Sequence, residues 1–92
     1  MTIPAGMLTE RMNFRPLNKN GFMRRGHVNN FKVTVDDPLY ADIELSATIR
    51  YDGETKELEK GDLLDYDNDE YKITIVVVRR NDRLVDIRGR RT

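Results

Sequence analysis

The chain has 92 residues, enough for one domain with a modest hydrophobic core, and we expect a single domain over residues 1–92. It contains no cysteine, which excludes a disulfide framework, a thiol nucleophile and a cysteine-based zinc site. No apolar run reaches membrane-spanning length and residues 1–14 do not resemble a signal peptide, so we expect a soluble intracellular product with no membrane partner.

The 16 basic and 16 acidic side chains balance, but they are unevenly distributed. Residues 1–33 carry a net charge of +5, residues 34–71 a net charge of −10, and residues 72–92 a net charge of +5. One interpretation is an uneven but merely solvated surface. The other is a subunit whose oppositely charged faces attract copies of itself, because complementary potentials favour association and fix its register. Such a head-to-tail contact closes into a ring when the rotation allows.

The N-terminal third is predicted to hold a short strand followed by a long basic loop. Met12 and Phe14 alternate with polar residues, which is typical of a short strand. Residues 17–30 are basic and without a clear period, so we expect a loop there, with room for a small hairpin at Asn20-Gly21. Long loops in compact domains are usually functional or disordered.

The middle of the chain carries the clearest pattern. Phe31, Val33 and Val35 share one face of a predicted strand, which ends before Pro38. Residues 41–51 then alternate strictly between apolar and polar side chains, which predicts a long, half-buried strand.

The connection that follows is polar. It starts with the turn pair Asp52-Gly53, ends at Gly61-Asp62 and has Leu58 as its one apolar anchor, with room for a single helical turn.

The C-terminal third is predicted to hold two hairpins. Residues 63–66 and 70–78 flank Asp67-Asn68-Asp69, whose residue types favour a turn. The run Ile75–Val78 is apolar on both faces, which predicts a central segment covered on both sides. A turn at Asn81-Asp82 leads to a last strand, with Val85 and Ile87 pointing inward. Together these elements predict an all-β fold, a small antiparallel β-barrel or sandwich of five to six strands.

The four carboxylates between residues 65 and 70 raise the question of a calcium loop. An EF-hand needs glycine at its sixth position and a bidentate glutamate at its twelfth. Counted from Asp65, those positions hold Glu70 and Val76. We therefore predict a hairpin turn and no metal or cofactor, with a weak surface cation site left open.

Catalysis finds little support in the sequence. The only histidine, His27, and the only serine, Ser46, lie on different predicted elements, and the glycines do not form a phosphate-binding loop. We predict a non-enzymatic protein with no catalytic residues.

A small single-stranded nucleic-acid-binding β-barrel is an alternative, because basic loops and aromatic side chains suit single strands. Against it, Phe31, Tyr51 and Tyr71 are predicted to face inward, and residues 34–71 hold thirteen acidic side chains.

The order of the motifs resembles that of the head–tail joining proteins of tailed bacteriophages, also called head-completion, stopper or connector proteins. The resemblance covers about residues 10–90 and depends on four stretches: "RMNFRP", the strand ending in "IRY", "KGDLLDYDNDEYKI" and "VVVRRNDRLVDIRG". The part from "VDDP" to "RGRR" is also similar to the lambda-type head–tail attachment proteins. The chain departs from the family pattern in a shorter segment before "IRY" and in Asn68-Asp69, where the family usually has Asp-Gly.

The resemblance implies a β-barrel subunit that forms a homo-oligomeric ring under the portal, extends the DNA channel and docks the tail. Its partners would be copies of itself, the portal protein, a tail or neck protein and the packaged double-stranded DNA. The protein would be made in the bacterial cytoplasm and located in the virion neck. A tail-tube or tail-terminator subunit of the same virion is a further alternative.

Two sets of candidate site residues follow. The basic loop would meet the portal or the DNA channel through Lys19, Arg24, Arg25 and His27. The subunit interface would use opposite charges, namely Asp65, Asp67, Asp69, Glu70, Arg79, Arg80, Arg83, Arg90 and Arg91.

Overall fold

The computed structural model of the protein describes residues 8–37 and 40–92. Six antiparallel strands close into a barrel in the order β1-β2-β3-β6-β5-β4, and β4 pairs back onto β1. The prediction of an all-β fold is confirmed, and the architecture is the barrel. The strands are β1 (Glu10–Arg15), β2 (Phe22–Asp37), β3 (Tyr40–Arg50), β4 (Leu63–Tyr66), β5 (Asp69–Arg79) and β6 (Leu84–Arg91).

The barrel interior is filled by the alternating apolar residues of the strands. Successive side chains on a strand point to opposite faces, so a period of two places one set inside. Phe14 stacks on Phe22 with ring centroids 5.3 Å apart. Leu58 is buried next to the 3₁₀ turn Thr55–Glu57 and is the apolar anchor that the sequence predicted for the polar connection. The main buried residues are Met12, Phe14, Leu45, Ala47, Ile49, Leu64, Tyr71, Ile73, Val85 and Ile87.

The predicted hairpin between β4 and β5 is confirmed, with a turn of only two residues. Asp67 and Asn68 have φ angles of 50° and 67°, and Tyr66 pairs with Asp69 across the turn. Two successive residues with positive φ match the right-handed twist of the flanking strands, and Asp and Asn tolerate that conformation. Asp69 therefore begins β5 instead of belonging to the turn.

The predicted long loop over residues 17–30 is wrong, because most of it is the first half of β2. Only residues 16–21 connect β1 to β2, so Asn20-Gly21 lies in the turn of the β1–β2 hairpin. Two inward positions of this half-strand hold Arg24 and Gly26, which interrupt the alternation of apolar and polar residues in the sequence. Arg24 is half-buried with its guanidinium carbon 4.9 Å from the centroid of the Phe22 ring.

Strands β2 and β3 continue past the rest of the barrel. Strand β1 pairs with β2 only as far as Gly26, and β6 pairs with β3 only as far as Glu44, whereas the β2–β3 pairing runs on to Asp37 and Tyr40. We call residues 31–37 and 40–43 the arm. No strand among the described residues lies opposite the arm to complete the barrel wall.

Phe31 lies on the arm and is therefore not a core residue. Phe31 and Val33 pair with Leu45 and Ile43, so they lie on the inward side of the sheet as predicted. They are nevertheless 45% and 58% exposed, because the barrel wall that would cover them is missing. The predicted position of Val35 lies outside the residues whose side chains are described.

The predicted burial of Ile75–Val78 on both faces is also wrong. Ile75 and Val77 are 45% and 49% exposed, and Val78 is exposed as well. A bulge between Ile73 and Ile75 shifts the register of β5 against β6. This reverses the alternation, because an extra residue in one strand turns the following side chains to the other face. A single sheet closed on itself has one covered face, so Ile75 and Val77 point outward.

Candidate functional site

The outer face of the barrel carries an open groove next to the exposed part of β5. The groove has a volume of about 570 Å³. Ile75 and Val77 form its apolar side, and side chains from β2, β3 and β6 form the remainder. We call it the β5 groove; its lining residues are Asn29, Ser46, Thr48, Ile75, Val77, Arg79, Asp86, Ile87 and Arg88.

A chain of polar contacts forms the floor of the β5 groove. Asn29 Nδ2 donates to Thr48 Oγ1 at 2.8 Å, and Thr48 Oγ1 donates to Asp86 Oδ1 at 2.7 Å. Arg79 Nη2 donates to the same Asp86 oxygen at 3.2 Å. Arg79 Nε lies 2.8 Å from Asp86 Oδ2, an ion-pair contact whose angle does not suit a hydrogen bond. These contacts cross four neighbouring strands, β2, β3, β6 and β5. The polar side chains of the floor are therefore paired with one another in the single chain.

The arm provides the second uncovered apolar surface. We call the inward side of the arm, with Phe31 and Val33, the arm face. Phe31 meets Tyr66 at the barrel end, with ring centroids 6.0 Å apart, and the rest of its ring is open to solvent. Isolated exposed apolar side chains are normal, whereas adjoining ones mark interaction surfaces. The arm face and the β5 groove each combine two large exposed apolar side chains.

The four predicted loop residues do not form one basic site. Arg24 and Arg25 are neighbours on β2, so their side chains point to opposite sides of the sheet. Arg25 is exposed and donates from Nη1 to the Thr9 carbonyl oxygen at 3.1 Å. His27 is half-buried and lies opposite Thr48 in the β2–β3 pairing.

The other two residues of that set are engaged by carboxylates of the same chain. Lys19 lies in the β1–β2 turn and forms an ion pair with Glu57. Arg24 Nε donates to Asp52 Oδ2 at 2.8 Å, and its Nη2 contacts Glu54. Part of the charge separation seen along the sequence is thus neutralised within the fold. A role of these residues at a portal or DNA channel stays a prediction.

The acidic hairpin is held by an arginine that the sequence patterns do not single out. Arg15 donates from Nε and Nη2 to the two oxygens of Asp65, at 2.8 and 2.7 Å, and it also bonds Glu70. The bond from Arg15 holds the pKa of Glu70 below its usual range. The cation bound by these carboxylates is therefore a guanidinium. Among the side chains that the structure describes, no three of His, Asp or Glu are grouped to hold a metal ion.

The predicted interface charges divide into two groups. Asp65, Glu70 and Arg79 form ion pairs within the chain, the last with Asp82 and Asp86. The remaining cations are exposed and form no ion pair with any side chain that the structure describes: Arg80, Arg83, Arg90 and Arg91. Asp67 is exposed at the turn, and Asp69 is half-buried beside it.

Sequence reasoning also missed most of the β5 groove. It predicted Ile75 and Val77 to lie in a segment covered on both sides, and it did not single out Asn29, Thr48 or Asp86. The alternation did place Thr48 and Asp86 on the polar faces of their strands. Their contact depends on the pairing of β3 with β6, which brings residues 38 positions apart opposite each other.

The polar connection after β3 is organised by Asp52. Asp52 Oδ1 accepts from the backbone amides of Glu54 and Thr55 at 2.8 and 2.9 Å, while Oδ2 accepts from Arg24. Burial alone would raise the pKa of Asp52. The hydrogen bonds from Arg24 and from the two amides outweigh that effect, so its pKa lies below its ordinary value of 3.8.

This cluster predicts an acid-sensitive contribution to stability. A carboxyl whose pKa is lower in the folded than in the unfolded chain stabilises the fold above the unfolded pKa, and this is lost as the pH falls through the folded pKa. At pH 7 we expect Asp52→Asn to lower the free energy of unfolding by about 1–2 kcal/mol. The difference from the wild type should shrink as the pH falls below 3.8. Urea unfolding at a series of pH values measures both.

Asp67→Asn, at the exposed turn, is the matched control and should change stability little at any pH. A difference between wild type and Asp52→Asn that stays constant down to pH 2 would contradict the role given to the Asp52 charge.

Comparison with known proteins adds no assignment to this geometry. The chain matches no known protein-family model, and no curated protein matches it. No helix within the described ranges, 8–37 and 40–92, is long and apolar enough to cross a membrane. Arguments about function therefore start from the arm face and the β5 groove.

Proposed function

We propose that the protein is a non-enzymatic virion subunit, a bacteriophage head–tail connector or head-completion protein. It forms a ring under the portal, extends the DNA channel and docks the tail. One observation carries the assembly part of this proposal: a single barrel has two uncovered apolar surfaces, the arm face and the β5 groove, on different sides of its wall. The virion part is supported by the resemblance of residues 10–90 to connector proteins.

The arrangement of the two surfaces favours a ring over a symmetric pair. A two-fold dimer would have to place both arms in both grooves within one interface, whereas a head-to-tail contact between surfaces on different sides of the wall leaves one of each free for the next copy. An open row of copies leaves one arm face and one β5 groove uncovered at its ends, and a closed ring covers all of them. Burying apolar area stabilises the assembly by about 25 cal/mol per Å². Each added copy therefore gains stability until the ring is complete.

A single-stranded nucleic-acid-binding barrel is the second candidate, and one observation favours it. Phe31 is open to stacking with a base, and Arg88, Arg90 and Arg91 are exposed on β6. Against it, carboxylates of the same chain occupy Arg15, Arg24 and Arg79, three of the cations that would contact phosphates.

The proposal is tested by mixing the purified protein with tailless, portal-bearing heads of the phage that encodes it. Size-exclusion chromatography with light scattering is run on the protein alone and on the mixture. We expect the protein to join the heads in a fixed copy number, whether it arrives as a monomer or as a preformed ring.

Three results would contradict the connector assignment. A protein that ignores heads but binds single-stranded DNA, with affinity that falls steeply with salt, is the nucleic-acid barrel. A protein that ignores heads but joins purified tails is a tail-tube or tail-terminator subunit. A protein that binds none of these is not a connector.

A further inference from the structure

We propose that the arm of one copy docks in the β5 groove of the next copy, so that Phe31 and Val33 cover Ile75 and Val77. This names the two surfaces that join the ring, and it rests on the proposed function for where the ring is located. Four apolar side chains that water reaches in the single chain would then become buried in one contact. Phe31 has the largest side chain of the four, and docking can bury the 45% of it that is exposed in the single chain.

The closed barrel prevents an arm from covering its own groove. Phe31 and Val33 lie on the inward side of the sheet, since they pair with the inward residues Leu45 and Ile43. Ile75 and Val77 lie on the outward side, and β6 and β3 lie between their strand, β5, and β2, which carries Phe31 and Val33. The two apolar sets of one chain therefore face away from each other. Only a second copy can bring them together.

Charge favours the arm-to-groove contact over an arm-to-arm contact. By sequence, the arm (residues 31–37 and 40–43) contains one basic and three acidic side chains, a net charge of −2. Residues 72–92, which include most of β5 and all of β6, contain seven basic and two acidic side chains, a net charge of +5. Two arms would repel each other, whereas an arm and a groove attract.

Of the two cations that line the β5 groove, Arg88 is the one available to the arm. Arg79 already binds both acidic residues of that segment, Asp82 and Asp86. Arg88, on the groove wall, is exposed and forms no ion pair with the side chains that the structure describes. The groove floor, tied by Thr48 and Asp86, needs no reordering when the arm enters. A preorganised surface keeps the cost of association low.

Disulfide trapping tests this contact directly, because the chain has no cysteine of its own. Val33→Cys and Val77→Cys are made in two copies carrying different tags, and both positions are exposed, so the fold should be kept. The two variants are mixed and oxidised, in solution and on tailless heads. Disulfides form only where the Cα atoms come within about 7 Å, so we expect 33–77 dimers in about tenfold excess over a control pair. The double variant Val33→Cys/Val77→Cys should give a ladder of products that ends in a closed ring.

Asn18→Cys with Lys56→Cys is the control pair, since both residues are exposed and lie outside the two surfaces. Dimers through 33–33 or 77–77, or 33–77 products no more abundant than those of the control pair, overturn the inference. If the protein joins heads without forming the 33–77 link there, the contact is wrong and the connector function stands. If the ladder forms but the protein ignores heads, the contact stands and the connector function is wrong.

Discussion

Replacing Phe14 with alanine is expected to lower the free energy of unfolding by about 3–5 kcal/mol. Phe14 has no exposed area, and its ring stacks on Phe22 in the barrel interior. The substitution removes that contact and leaves a cavity that the strands on either side, β2 and β4, cannot close without losing their pairing with β1.

The expected loss is a large part of the total, because domains of this size are stable by about 5–15 kcal/mol. Urea unfolding followed by circular dichroism measures it. We expect the midpoint of Phe14→Ala to move to much lower urea, or the variant to be partly unfolded without denaturant.

Phe31→Ala is the matched control, since it removes the same side chain from the arm face. We expect it to change the free energy of unfolding by less than about 1 kcal/mol, as is usual for exposed positions. The same variant should weaken self-assembly, because Phe31 is the largest side chain of that surface. Equal losses of stability for the two variants would mean that Phe31 is buried in the free chain and that the arm face is not open.

Gly26→Ala is expected to destabilise the barrel by about 1–3 kcal/mol, although alanine is the better strand residue. A Cβ atom at Gly26 would lie 2.8 Å from Ile49 Cγ2, 2.9 Å from the Thr48 carbonyl oxygen and 3.0 Å from Met12 Cε. The carbonyl belongs to the backbone of β3 and cannot move away as a flexible side chain can. β2 and β3 must therefore separate locally, or the core must repack.

Gly53→Ala is the control for this prediction. No atom lies within 4 Å of a Cβ placed there, and the glycine does not have a positive φ. Alanine should stabilise the protein by about 0.4–1 kcal/mol, because it restricts the unfolded chain. Thermal unfolding of both variants gives the comparison. A Gly26→Ala protein as stable as Gly53→Ala would contradict the close approach of β2 to β3.

The arm exposes an unpaired strand edge and an apolar face, which favour aggregation unless assembly covers them. Beyond Gly26 the outer edge of β2 has no partner strand in the described part of the chain, and the arm face is apolar. Unpaired strand edges invite pairing with other chains, and charge is one way in which proteins limit it. The net charge of −2 on the arm (residues 31–37 and 40–43) serves that purpose against a second arm. In the contact proposed above, the same charge would favour docking against a basic surface.

Several elements of the fold were predictable because each depends on local sequence. The strict alternation of residues 41–51 marks β3, since one face of that strand meets the core along most of its length. The Asp-Asn pair at residues 67–68 marks the β4–β5 turn, because those residues accept positive φ. Six alternating segments joined mainly by short turns were enough to predict a small antiparallel all-β fold.

Other features depended on contacts between distant residues. The start of β2 has no apolar period because Arg24 reaches Asp52 and because the space at Gly26 is filled by Met12 and Ile49. The acidic hairpin is neutralised by Arg15, which β4 meets only when the barrel closes onto β1.

The two candidate surfaces, the arm face and the β5 groove, also depended on contacts between distant residues. Phe31 lies on the correct side of its strand but beyond the end of the barrel wall, and the bulge before Ile75 turns that residue outward. By itself the sequence determined the fold class, most of the strands and the turn chemistry, because alternation and φ preferences are properties of neighbouring residues. Only the tertiary structure decided which apolar side chains are covered, because that depends on what the closed sheet places opposite each of them.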